Sequence, residues 1–172
     1  MTKLKTSEME VRLMMFFGFT RNLIVPAVTN AGKLGFEADL LVLSPAGYAT
    51  AIEIKVSKSD LRNDLNKKHI KQIGQKMEYS GRSAFEFYYK PLKFFYYAVT
   101  KELEKSAMDQ IPDFAGLIVV DNHNGTKYPT IKKVKPAKEL FKNQWNKDEI
   151  SNIARIGTMR LYNLKFKLLS KN

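Results

Sequence analysis

The chain has 172 residues, enough for one ordinary domain with its own core, and 44% hydrophobic against 27% charged residues describes a globular protein. It has no cysteine, which excludes disulfides and thiolate metal sites. Lys and Arg number 29 against 17 Asp and Glu, a formal net charge of +12 with a pI near 9.7, so the surface suits a polyanion such as nucleic acid. No apolar run approaches the roughly 20 residues of a membrane span. The opening Met1 to Lys5 lacks the apolar core of a signal peptide, and an intracellular, cytoplasmic setting without a membrane partner is expected.

Ser7 followed three residues later by Glu10 reads as a capping box, opening a helix through roughly Phe17 that Gly18 ends. Val11, Leu13, Met14, Met15, Phe16 and Phe17 run nearly all round it, which predicts a helix buried against a sheet. Glu8 shares a face with Val11 and Met15. Both Glu8 and Glu10 also suit the positive end of the helix. Leu23 to Val28 reads as a strand interrupted by Pro26, and residues 30–35 form a loop whose Lys33 is placed to reach a phosphate.

The stretch from Gly35 to Val56 reads as a β-hairpin with charges inside it. Leu40 to Leu43 and Ala49 to Val56 are apolar, β-rich runs separated by Ser44-Pro45-Ala46-Gly47. Side chains alternate across a strand, so Glu53 and Lys55 share one face while Ile52, Ile54 and Val56 take the other. Asp39 is expected opposite Glu53, where cross-strand partners come within roughly 5 Å. Two carboxylates that close repel unless a cation lies between them, and their hard oxygens suit Mg²⁺. Lys55 would then face the ion's water and a substrate phosphate.

Ser57 or Ser59 can cap a helix running to about Met77, with Leu61, Leu65 and Ile73 on one side and Lys58, Arg62, Lys67, Lys68 and Lys71 around it. That basic run suits either a solvated face or a grip on phosphate beside Lys55. His69 and His123 read as packing and turn residues rather than ligands. Phe85 to Tyr89 and Phe94 to Val99 are strand-like, the latter patterned as a central strand covered on both sides. A short helix over Lys101 to Met108, a buried strand over Phe114 to Asp121 and an edge strand over Thr130 to Val134 follow. Asp148 and Glu149 open a closing helix in which Ile150, Ile153, Ile156, Leu161 and Leu164 recur at helical spacing, with Arg155, Arg160, Lys165 and Lys167 making it basic. One face is expected to dock on the sheet, leaving the other for DNA or a partner.

Asp39, thirteen intervening residues, and Glu53-x-Lys55 resemble the active-site signature of the PD-(D/E)XK nucleases, with Ala38 in place of the proline of the family's name. The stretches Glu53 to Asp60, Lys68-His69, Phe94 to Val99, Ala115 to Val119 and Ala154 to Leu161 are similar to the MmcB-type DNA-repair branch and its phage relatives. The resemblance implies one α/β domain over residues 1–172, with a restriction-endonuclease-like core: a mixed β-sheet flanked by helices on both faces. It implies a Mg²⁺-dependent DNA endonuclease or repair nuclease, Mn²⁺ being a substitute and RNA a lesser substrate. Asp39, Glu53 and the Ile54 carbonyl would hold the metal, and Lys55 would act beside it. An acid of the first helix often joins such sites, and Glu8 is the candidate, with Glu10 the spare. Lys33, Lys58, Arg62 and Lys68 would contact the nucleic acid. A catalytically inactive nucleic-acid-binding module on the same fold is the alternative, and a homodimer is compatible with either.

Overall fold

The computed structural model describes residues 4–28, 37–66, 70, 92–121 and 130–170. Six strands form one sheet in the order in which they occur in the chain: β1 (Leu23–Val28), β2 (Ala38–Leu43), β3 (Ala49–Lys55), β4 (Phe94–Thr100), β5 (Gly116–Asp121) and β6 (Thr130–Lys135). The β1–β2, β2–β3 and β5–β6 pairs are antiparallel, while β3, β4 and β5 run parallel to one another. The sheet is therefore mixed, and its direction of pairing changes at β3 and again at β5. Among the described residues there are four α-helices: α1 (Thr6–Phe16), α2 (Lys58–Leu65), α3 (Glu104–Gln110), which continues a 3₁₀ turn over Lys101–Leu103, and α4 (Lys147–Leu169).

Strand alternation divides the core into two layers. On one face of the sheet Leu40, Val42, Ile52, Ile54, Tyr96 and Ile118 pack under Met9 and Leu13 of α1. On the other, Leu41, Ala51, Phe95, Tyr97, Val99 and Leu117 lie against Leu61 of α2, Ala107 of α3 and Ile153 of α4. The α/β architecture with helices on both faces is thus observed. β4 is buried along nearly its whole length, as its aromatic pattern predicts. Pro26 is tolerated because β1 is an edge strand, where a missing N–H costs no ladder bond.

Two glycines are fixed by close approach. Gly47, at φ +80°, closes the β2–β3 turn by donating its N–H to the Ser44 carbonyl at 2.8 Å, and its own carbonyl accepts from the Trp145 N–H at 2.8 Å. Gly116 lies against the Tyr96 ring, where an added Cβ would meet ring carbon at 2.2 Å.

The first helix begins two residues earlier than its sequence suggests. Lys5 is the cap, and its backbone N–H donates to a carboxylate oxygen of Glu8 at 2.9 Å. Gly18, at φ +69°, follows its end. The helix is not buried all round: Met9 and Leu13 are inside, whereas Val11, Met15 and Phe16 are exposed. An i, i+4 pair is enough to seat one helix face on a sheet. The strands at 23–28 and 94–100 and the acidic hairpin fall within a residue or two of their expected bounds. Residues 85–89 and the turn after Asp121 lie outside the described residues.

α4 opens with Asn146 and Glu149 in a reciprocal capping box, Asn146 Oδ1 accepting from the Glu149 N–H at 2.9 Å and Glu149 returning the bond at 2.8 Å. Ile150, Ile153 and Ile156 dock it on the sheet. Beyond them its large apolar residues, from Met159 to Leu169, are exposed.

Candidate active site

The β2–β3 register runs from Leu43↔Ala49 to Leu40↔Ile52, and one further step sets Asp39 opposite Glu53. On its other side Glu53 pairs with Tyr97 of β4, and Lys55 with Val99. Asp39, Glu53, Lys55 and Tyr97 therefore share one face, that of α2. At the mouth of the hairpin the Ile54 N–H donates to Asp39 Oδ2 at 2.7 Å, so a carboxylate takes up that backbone donor and is fixed by it. Ile54, expected to contribute its carbonyl, is thus tied to the site through its amide hydrogen.

Lys55 is the centre of the arrangement. Its Nζ lies 2.7 Å from Glu53 Oε2, 3.2 Å from Asp64 Oδ1 and 3.7 Å from Asp39 Oδ2. The Lys55 and Glu53 side chains are 5% and 3% exposed and that of Asp64 1%, while Asp39 at 39% faces solvent. Three carboxylates thus surround one ammonium, three of the four groups are buried, and Asp39 forms the open side.

Asp64 did not emerge from the sequence reading. It reaches the cluster because α2 starts two residues after β3 ends: Ser57 Oγ accepts the Asp60 N–H at 3.1 Å and starts the helix, whose Leu61 packs into the core. Asp64 lies one turn beyond Leu61, on the same inward face.

Electrostatics follow from this crowding. Burial, reinforced by the negative charges of Asp64 and Asp39 and opposed by Lys55, pushes the Glu53 carboxyl up to about 8. Lys55 is held above the ordinary lysine value, because Glu53, Asp64 and Asp39 outweigh its own burial. The excess of negative charge is relieved by a proton on Glu53, while Lys55 keeps its own. Tyr97, fully buried, is pushed well up by burial and by the same two acids, Asp64 and Glu53, and stays a neutral phenol.

Of the two acids in α1, Glu8 is exposed and its carboxylate serves the helix cap. Glu10 is the one that senses the site: partial burial, then the negative charge of Asp39, raise its pKa. The geometry therefore favours Glu10 over Glu8, since the face Glu8 shares with Val11 and Met15 is turned to solvent. Lys58 and Arg62 are exposed on α2, the helix that carries Asp64. Lys33, Lys68 and His69 lie outside the described residues, as does the stretch 75–79.

Among the described residues no group of three or more His, Cys, Asp and Glu side chains is arranged to hold a metal ion. The point where the carboxylates converge carries the Lys55 ammonium. The donor set is nevertheless suited to a hard divalent cation. Mg²⁺ commonly takes one or two carboxylates and completes its shell with water and phosphate, and the acids here exceed the local positive charge. Taking up such an ion between Asp39 and Glu53 would mean exchanging it for part of Lys55's hold on them.

No family model matches the chain and no curated protein does. Among solved structures it is similar to a protein of unknown function from Silicibacter pomeroyi, with a TM-score of 0.59 over 95% of this chain and 94% of that one at 19% identity. At that identity the likeness speaks to the fold alone, an α/β arrangement over nearly the whole length of both chains. Among the described residues no helix is long and apolar enough to cross a membrane.

Proposed function

We propose that the chain is a divalent-metal-dependent nuclease acting on DNA, hydrolysing phosphodiester bonds at the Asp39–Glu53–Lys55 cluster. The observation that carries this reading is the convergence of two acids from neighbouring strands and a lysine on one face of the sheet, with Lys55 Nζ 2.7 Å from Glu53 and 3.7 Å from Asp39. The resemblance to the PD-(D/E)XK signature supports it, and the net charge of +12 supports a polyanionic substrate.

In this mechanism Asp39 and Glu53 would hold Mg²⁺ or Mn²⁺, and the ion would supply a water of lowered pKa and positive charge against the phosphate. Asp39, open to solvent and anchored by the Ile54 N–H, would be the more accessible of the two ligands. Glu53 would serve as a ligand only as the carboxylate, its proton having passed to water. Lys55 keeps its proton and presents an ammonium to the scissile phosphate, stabilising negative charge as it builds up. Lys58 and Arg62 of α2 neutralise flanking phosphates, giving sequence-independent, salt-sensitive binding. Glu10 contributes from the α1 side.

A second reading, a nucleic-acid-binding module without catalysis, is favoured by one observation: Lys55 already neutralises the acids at the place where an ion would go. Incubation of linear, nicked and branched DNAs with Mg²⁺, Mn²⁺ or EDTA separates the two, using the natural chain and Asp39→Asn. Metal-dependent cleavage lost in Asp39→Asn is expected. Equal cleavage by both chains overturns the nuclease mechanism, and binding without cleavage by either favours the second reading. RNA digested in parallel distinguishes the substrate class.

A further inference from the structure

Asp64 belongs to no part of the Asp-(x)-Glu-x-Lys signature, yet it is the most deeply buried acid in the cluster and lies 3.2 Å from Lys55. Two things about its placement set it apart from an ordinary ion pair. It comes from α2 rather than from the hairpin, and its side chain is 1% exposed against 39% for Asp39. It is also rigidly sited, through the Ser57 cap at the start of its helix and Leu61 in the core one turn before it. An acid that is buried, fixed and already close to the ammonium is a resting place for Lys55 that does not depend on Asp39 or Glu53.

We infer that Asp64 is the positioning residue for Lys55: it retains the ammonium when a divalent cation takes over Asp39 and Glu53, so that the lysine stays in the site instead of being expelled or competing with the ion. The metal half of this inference rests on the function proposed above, whereas the Asp64–Lys55 partnership does not. Without metal the ammonium is shared, nearest Glu53. An ion held by Asp39 and Glu53 would repel it, and a shift toward Asp64 would keep its charge compensated in a buried setting where an unpaired charge is costly. Removing the Asp64 charge weakens metal binding twice over: Lys55 then leans on Glu53 and Asp39, the two acids the ion needs, and competes harder, and the local field attracting a cation is reduced. Removing the Lys55 charge does the reverse.

The opposite signs make the test specific. Asp64→Asn, Lys55→Met and the double variant are compared with the natural chain by urea unfolding in EDTA and by calorimetric titration with Mn²⁺. In EDTA the two substitutions are expected to be strongly non-additive, with a coupling of about tenfold in the unfolding equilibrium constant, as for residues in direct contact. With Mn²⁺, Asp64→Asn is expected to weaken binding about tenfold or more and Lys55→Met to tighten it, a tenfold change being about 1.4 kcal/mol. General structural damage would weaken binding in both. Should Lys55→Met not fold, Lys55→Gln makes the same comparison while still hydrogen bonding to the acids. Additive stabilities, or Mn²⁺ binding shifted in the same direction by both variants, overturn the role of Asp64 and leave the proposed nuclease standing. A natural chain that binds no Mn²⁺ overturns the metal exchange together with the nuclease reading, and the EDTA cycle still decides the Asp64–Lys55 pairing.

Discussion

Substituting Glu53 by Gln removes a buried acid whose proton affinity has been raised from 4.5 to about 8, chiefly by burial. Because its folded pKa lies above its unfolded one, the folded chain binds the extra proton between those values. The associated stability is complete below about pH 4.5 and is lost as pH rises through about 8. Between pH 5.5 and 8.5 the metal-free protein should lose about 3 kcal/mol through this group, at roughly 1.4 kcal/mol for each tenfold change in proton affinity. Lys55 does not titrate in that window, since its surroundings hold it above the ordinary lysine value. Glu10, also raised, contributes in the same direction, but equally in both chains. The assay is urea unfolding in EDTA at pH 5.5, 7 and 8.5 for the natural chain and Glu53→Gln. The natural chain should be the more pH-sensitive of the two, its stability falling toward pH 8.5 relative to the variant. A difference between the chains that stays constant within about 0.5 kcal/mol would refute the buried, proton-holding Glu53.

Three further predictions concern residues around the cluster. Glu8→Gln should lower stability by about 0.5–1 kcal/mol in thermal unfolding, through loss of a charged cap at the α1 N-terminus, and leave metal-dependent cleavage unchanged. Glu10→Gln should reduce cleavage while changing stability less. Replacing Lys58 and Arg62 together by Ala should lower DNA affinity at low salt and reduce the slope of log affinity against log salt by about 2, read by fluorescence anisotropy across a salt series.

The acidic hairpin was legible because a period of two is simple. Apolar residues at 40, 42, 52 and 54 declare one face, and whatever charge lies between them must take the other. The shared face of Asp39, Glu53 and Lys55 follows from alternation alone. Asp64 was not legible in that way, because its place depends on how sharply β3 turns into α2. A signal did exist: it lies at i+3 from Leu61 and beside Leu65, an acid on the apolar side of a helix whose other charges point outward. The outward turn of Glu8 was hidden for a related reason. α1 is apolar around most of its circumference, so its pattern does not say which side is inside, and a Lys5 cap without a side-chain acceptor gives little warning of where the helix starts. Packing chose Met9 and Leu13, and that choice turned Glu8 outward. The length of α4 beyond its last core isoleucine is another feature that periodicity alone could not divide into docked and exposed halves.

Beside Asp39 the backbone departs from regular strand geometry. Pro26 pairs with Leu40 and Val28 with Ala38, but between them Ala27 adopts φ 48°, and its carbonyl accepts a bond from Arg160 of α4 at 2.8 Å. A left-handed alanine sits uphill by roughly 1 kcal/mol, and a glycine there would relax it. The distant arginine thus acts as a clasp on the strand that flanks the open acid. The long helix and the strand beside Asp39 are thereby tied together by one bond that joins the chain's two ends.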